Sequence, residues 1–223
     1  MTPEQSIFAT VNSRLARLST TSLVDAAPSL RILPLTLRPL TPGARAVGRV
    51  VTARANRDLM SVIEGLRISG PGDVLVVDVG GDDRAVAGEL FGTEAQRRGL
   101  AALVVHGCIR DTAALTRLSM PVWSTGIAPN AYPAVALPET GVVLELGGIR
   151  VAPGDLLVGD DDGLVTGTPA EFRAALDAAE AIEAREKTLQ PRLLEGTSLF
   201  DVMSYDEHLA ALRAGHPSAL SFS

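Results

Sequence analysis

The chain has 223 residues, 46% of them apolar, enough for one good-sized domain with a packed core. Its 20 Lys and Arg against 26 Asp and Glu leave a net charge of −6, and with no dense basic stretch this argues against nucleic-acid binding. One cysteine, Cys108, excludes an internal disulfide and a multi-cysteine metal site.

No uncharged apolar run approaches the roughly 20 residues of a membrane span. Residues 1–20 carry Glu4, Arg14 and Arg17 and do not read as a signal peptide. A soluble cytoplasmic protein without nucleic-acid or membrane partners is the expectation.

In chain order, Ile7, Val11, Leu15 and Leu18 recur at helical spacing and predict an amphipathic helix over 3–18. "STTSLVDAA" supplies hydroxyl caps for a short helix ended by Pro28. Residues 29–45 hold three prolines and read as an irregular connector. A strand over 46–55, a helix over 58–68 and a strand over 73–79 follow, and "GGDDRAVAG" reads as loop. A helix over 89–98 stops at Gly99, and the apolar run 100–107 is a strand expected to be covered on both faces.

"TAALTRL" is a short helix, "PVWSTG" a strand and 127–138 a proline-rich loop. Residues 141–167 read as short strands only. Thr168-Pro169-Ala170-Glu171 then gives a capping residue, a proline at the first helical position and a glutamate three after the cap. The helix beyond it carries the stripe Phe172, Leu176, Ala179, Ile182, Leu189 and Leu193. The fold class is α/β, in a single domain spanning 1–223, with a core of about 20–167 and a C-terminal helical arm over 168–223.

The chemistry concentrates at "VVHGCIRDTAAL". Arg110 and Asp111 fall just beyond a buried strand, where open α/β sheets bind ligands. An aspartate there can hold a hard divalent cation with water completing the shell. The adjacent arginine can stabilise a developing enolate or pair with a carboxylate. On spacing alone the pair also reads as a turn-capping aspartate beside a solvated arginine. In "AGELFG", Gly88 permits close backbone approach, and the N–H groups opening the helix at Glu89, Leu90 and Phe91 favour an anion; Glu89 also reads simply as favouring the helix dipole.

Glu186 falls within the apolar stripe of the last helix, costly unless it is paired or near an exposed end. His106 reads as structural, Cys108 lacks a His–Asn partner pattern, and Asp160-Asp161-Asp162-Gly163 reads as an acidic turn rather than a Ca²⁺ loop.

"GELFGTEAQRRGLAALVVHGCIRD", with Glu89, twenty intervening residues and then Arg110-Asp111, resembles the RraA-like superfamily. It is most similar to the class II aldolases for 4-hydroxy-4-methyl-2-oxoglutarate and 4-carboxy-4-hydroxy-2-oxoadipate. "GPGDVLVVD", "MPVWSTGIAP", "RVAPGDLLVGDDDGLV" and "REKTLQPRLLEG" also match, so the likeness covers roughly 20–200.

The resemblance implies a β/β/α fold with N- and C-terminal helices, assembled as a homotrimer or hexamer. It implies Mg²⁺ or Mn²⁺ on Asp111, and Arg110 steadying the enolate of a small 2-oxo acid. Gly88, Glu89, Leu90 and Phe91 would hold the pyruvyl carboxylate, and Glu89 would position water and move protons. Glu186, or failing it Glu183, would reach the metal's water shell from a neighbouring subunit.

The implied reaction is aldol cleavage to pyruvate, with oxaloacetate decarboxylation as a side activity. The alternative is a non-catalytic regulator of ribonuclease E. After "GIAP" the family often has glycine-rich, basic residues. Here the segment is Asn130-Ala131-Tyr132-Pro133 and reads as shortened, so the family's recognition of the distal carboxylate does not carry over and a sibling substrate stands as an alternative.

Overall fold

The computed structural model describes residues 11–81 and 83–222. After a helical segment over 11–15 come α1 (Thr20–Ala26), β1 (Arg31–Ile32) and β2 (Arg38–Pro39). The alternating middle holds β3 (Ala46–Arg54), α2 (Met60–Ile68), β4 (Asp73–Asp78), β5 (Ala85–Ala87) and α3 (Glu89–Arg97). It continues through β6 (Ala102–Ile109), α4 (Thr112–Leu115) and β7 (Val122–Ile127). An all-β stretch follows, with β8 (Glu139–Thr140), β9 (Leu144–Leu146), β10 (Ile149–Val151), β11 (Leu156–Gly159) and β12 (Leu164–Gly167). The last helices are α5 (Pro169–Leu194) and α6 (Tyr205–Arg213).

The main sheet runs in the order β1-β12-β11-β3-β4-β6-β7-β2, with β5 added beside β6 and β8 beside β3. Its centre, β3-β4-β6-β7, is parallel. Both central faces are covered. On one, Leu75, Val77, Leu103 and Val105 pack with Val62 and Leu66 of α2 and Ala95 of α3. On the other, Val74, Val76 and Val104 share a core with Trp123 and with Leu144, Leu146 and Val151 of the β9–β10 hairpin. Each such side chain contributes about 1.5–3 kcal/mol when fully buried, which explains why β4 and β6 lack the alternation of a half-exposed strand. A third cluster joins Leu15 and Leu23 to Val158, Val165, Phe172 and Leu176. The result is the expected mixed α/β fold, with helices, sheet and hairpin in layers.

Several boundaries differ from expectation. β6 continues past Gly107 to Ile109, because Gly107, at φ +153°, forms an irregularity instead of a stop. Before it, β6 pairs with β4 as far as Asp78↔His106; after it, Cys108 and Ile109 pair with Ala85 and Ala87 of β5. The segment expected as loop over 80–88 therefore contains a strand. The connector 29–45 likewise supplies two short edge strands. Of the helix expected over 3–18, residues 11–15 are helical; residues 3–10 lie outside the described residues.

The capping box of α5 forms as read. Thr168 N–H donates to Glu171 Oε2 at 2.7 Å, and Glu171 N–H donates to Thr168 Oγ1 at 3.2 Å. The acidic turn is structural: Asp160 accepts from Thr20 N–H at 2.8 Å, and Asp161 accepts from Gly43 N–H at 2.8 Å.

The chain divides into two compact units, Met1–Ala179 and Glu180–Ser223. The first contains the whole sheet. In the second, Phe200 and Tyr205 meet edge to face at 5.7 Å, and Ser221 N–H donates to Ser204 Oγ at 3.0 Å. Among the described residues no helix is long and apolar enough to cross a membrane.

Candidate active site

Extension of β6 to Ile109 puts Arg110 and Asp111 at the carboxyl end of a central parallel strand, and β5 delivers Gly88 and α3 beside them. Two hydrogen bonds stitch these segments together. Arg110 N–H donates to Ala87 carbonyl at 2.9 Å, and Glu89 N–H donates to Asp111 Oδ2 at 3.1 Å. Arg110 Nε lies 3.5 Å from the same Oδ2. The structure thus brings Gly88, Glu89, Leu90, Phe91, Arg110 and Asp111 together.

Gly88 is extended at φ −161°, so space, not backbone freedom, demands glycine here. A Cβ would sit 2.4 Å from Asp111 Oδ2 and 2.9 Å from Arg110 Cγ. Asp111 is in the left-handed region at φ +55° and begins α4 without a side-chain cap bond. That backbone state costs on the order of 1–2 kcal/mol for an ordinary residue, less for aspartate. The ion pair with Arg110 is over two-fifths exposed on both sides and returns under about 1 kcal/mol. The arrangement fixes the position of a carboxylate rather than adding stability.

The first four N–H groups at the start of a helix have no intrahelical acceptor. In α3 one of them, that of Glu89, is taken by Asp111. The N–H groups of Leu90 and Phe91 open the same helix, and free N–H groups at a helix start favour an anion. Arg110, Gly88 and Phe91 line one end of a small open pocket of about 60 Å³, whose other end is formed by Ala85, Leu59 and Ala131. Leu90 also lines it and is exposed, as is the neighbouring Glu89.

Among the described residues no group of three or more His, Cys, Asp or Glu could cage a metal. The donor set fits a different binding style, in which a hard cation sits on one carboxylate and keeps most of its water or takes substrate oxygens.

Glu183 and Glu186 belong to the second unit. Glu186 is exposed, and Glu183 is half-buried with Lys187 Nζ 3.9 Å from its Oε2. His106 Nδ1 lies 3.1 Å from Asp78 Oδ1, beside a separate open cleft of about 440 Å³ that also touches Thr125.

Two supporting features depend wholly or partly on contacts distant in sequence. Asp58 is buried and accepts three backbone N–H bonds, from Met60 at 2.8 Å, Val135 at 2.7 Å and Ala136 at 3.1 Å. Burial alone would raise its pKa, but the three donors outweigh it and hold the carboxyl below the usual range. Asp58 thereby pins the 127–138 loop, and Leu59 N–H adds a bond to Pro133 carbonyl at 2.8 Å. The second is Tyr132, whose hydroxyl donates to Asp83 and whose ring lies 6.0 Å beneath the Arg84 guanidinium. The hydrogen bond raises the tyrosine pKa and lowers that of the aspartate. An aspartate just before a helix is a readable capping signal; a Tyr–Asp pair 49 residues apart is not.

A family profile described as Aldolase/RraA matches residues 20–166. A protein of Halalkalibacterium halodurans, provisionally named a 4-hydroxy-4-methyl-2-oxoglutarate aldolase, is 33% identical over 181 residues, 78% of this chain and 86% of its own. The 4-hydroxy-4-methyl-2-oxoglutarate aldolase of Thermus thermophilus is 35% identical over 66% of this chain and 90% of its own. Among solved structures, Streptomyces coelicolor RraAS2, described as an unusual member of the RNase ES inhibitor RraA protein family, superposes with a TM-score of 0.72 at 28% identity, covering 81% of this chain and 96% of its own. With the profile spanning the sheet, β5, α3 and the Arg110–Asp111 turn, this chain belongs to the Aldolase/RraA family.

Proposed function

We propose that this protein is a divalent-metal-dependent aldolase that cleaves a 4-hydroxy-2-oxo diacid to pyruvate and a second oxo acid, and that decarboxylates oxaloacetate as a side activity. The observation that carries this reading is the bond from Glu89 N–H to Asp111 at 3.1 Å, with Arg110 beside the same oxygen. It gathers an anion-binding helix start, a cation and a metal-type carboxylate at one pocket. The aldolase names of two relatives support the same reaction class.

Asp111 would hold Mg²⁺ or Mn²⁺, which when bound supplies Lewis-acid polarisation of the 2-oxo group. The N–H groups of Leu90 and Phe91 receive the substrate's pyruvyl carboxylate. As the bond between C3 and C4 breaks, the C4 hydroxyl loses its proton and becomes the carbonyl of the second oxo acid. The released electron pair moves onto the C2 oxygen, where Arg110 meets the developing negative charge. A proton returned to C3 completes pyruvate. Glu89, exposed and next to Leu90 in the chain, is the group that moves it, directly or through water. Oxaloacetate decarboxylation places the same charge on the same oxygen, with CO₂ as the leaving group.

The site is completed by a second copy of the chain, in a trimer or hexamer, with Glu186 of the neighbouring copy approaching the cation's water shell and Glu183 as the alternative. Exposure of the apolar Leu90 (79%), which lines the pocket, supports a covered rim.

The test is pyruvate release from branched 4-hydroxy-2-oxo diacids and from oxaloacetate, with Mn²⁺ or Mg²⁺ and with chelator. Turnover that ignores the chelator, or that survives in Asp111→Ala, sinks the proposal. A second reading, a non-catalytic regulator of an RNase E-type ribonuclease, is favoured by the likeness to RraAS2. Ribonuclease inhibition by a preparation that releases no pyruvate would select it.

A further inference from the structure

The active-site pocket contains one cation among its lining residues, Arg110, at the end formed by Gly88 and Phe91. A diacid brings two carboxylates. The opposite end is formed by Ala85 and Ala131, which are joined by a parallel bridge and by bonds from Ala85 N–H to Asn130 carbonyl at 2.8 Å and from Tyr132 N–H to Ala85 carbonyl at 3.1 Å. Arg84 immediately precedes Ala85, Tyr132 immediately follows Ala131, and the Arg84 guanidinium stands 6.0 Å over the Tyr132 ring. The stacked pair therefore adjoins the lining residues Ala85 and Ala131 in the chain, without itself lining the pocket. Three residues of extended chain separate Ala85 from Gly88, about 10 Å at strand rise. That span suits a short-chain diacid reached from both ends by long arginine side chains.

Charge supports the same assignment. The Tyr132 hydroxyl donates to Asp83, and both Arg57 and Arg84 act on that carboxylate. Asp83 is thus shared by the Tyr132 hydroxyl and two arginines. Arg57 is further engaged with Gly80 carbonyl, at 3.3 Å. Arg84 is exposed and held by an aromatic face, a placement that orders an arginine while leaving its N–H fork available.

Resting on the aldolase reading, we propose that Arg84 is the specificity residue that binds the distal carboxylate of the substrate, making the site a slot with a cation at each end. Tyr132 and Asp83 are its positioning residues.

The experiment compares calorimetric affinities of the full chain, in Mn²⁺, for 2-oxoglutarate and 2-oxopentanoate. These share the 2-oxo acid end and differ in the distal carboxylate, and neither carries the hydroxyl that cleavage requires. A charge-assisted contact of ordinary strength corresponds to about tenfold tighter binding of the diacid. The ratio should fall towards one in Arg84→Gln and be largely kept in Arg84→Lys, which shows that charge and not folding is read. It should also shrink with added salt.

A wild-type protein without preference for the diacid, or an Arg84→Gln variant that retains it, overturns the proposal. A tenfold ratio that responds to Arg84 in a protein that releases no pyruvate upholds the slot and overturns the aldolase reading instead.

Discussion

Glu89 and Asp111 meet through the main chain of one and the side chain of the other: the amide N–H at the start of α3 donates to Oδ2 at 3.1 Å. The Glu89 carboxylate takes no part in this bond. Position and chemistry are thus separable at this residue. Glu89→Gln should leave the circular dichroism spectrum and the melting temperature unchanged while lowering kcat for pyruvate release by about 10²–10⁴, the usual worth of a proton-transfer group.

Asp111→Asn is the matching change on the other side of the bond. Asparagine tolerates the left-handed backbone found at φ +55° and still offers an oxygen to the Glu89 N–H, but it carries no charge. Mn²⁺ affinity, read by electron paramagnetic resonance or calorimetry, should fall at least tenfold, with stability within about 0.5 kcal/mol of the parent.

Gly88→Ala introduces a single methyl group 2.4 Å from the Asp111 carboxylate. The extended backbone accepts alanine, and the contacted atoms, Asp111 Oδ2 and Arg110 Cγ, belong to exposed side chains that can shift, so folding should be perturbed by less than about 1 kcal/mol. Activity should nevertheless drop steeply, because a displacement near 1 Å at a reacting centre costs roughly a hundredfold. Unfolding curves together with steady-state kinetics separate the two effects.

Asp58→Ala removes the acceptor of three buried N–H groups, and a destabilisation of about 1–3 kcal/mol is expected at neutral pH. The pH dependence has a defined sign. The folded pKa of Asp58 is depressed, so its contribution is complete above the unfolded aspartate value near 4. It is lost as pH falls from there through the folded value. Urea unfolding at pH 7 and at successively lower pH should show the gap between wild type and variant narrowing on acidification.

Thr168→Ala opens one half of the capping box of α5 and should cost about 1 kcal/mol. Thermal unfolding followed at 222 nm checks it, and Thr168→Ser should restore most of the loss.

What could be read from the residues alone follows from the range of the forces involved. The capping box and the Ser19 cap of α1, whose Oγ accepts from Ser22 N–H at 3.1 Å, are local and were legible. So were the continuous apolar runs of β4 and β6, because burial on both faces leaves a compositional mark. Glu89, Arg110 and Asp111 were legible as a set only through their spacing and flanking segments. The strand hidden in 80–88 was not, since Ala85–Ala87 exists only because β6 offers it an edge beyond Gly107. The Val135 and Ala136 donors on Asp58 and the pairing of Tyr132 with Asp83 and Arg84 depend on contacts between residues far apart in sequence. Polar residues in such clusters look like ordinary loop composition until the fold assembles them.

Gly107 lets one strand serve two neighbours in succession. The first half of β6 takes its height from β4, and the second half takes its own from β5. An added Cβ at Gly107 would lie 2.4 Å from Val79 Cγ2, which defends the crossover sterically. Because the handover occurs upstream of Arg110, the segment that carries Arg110 and Asp111 takes its register from β5 and β7 and not from β4.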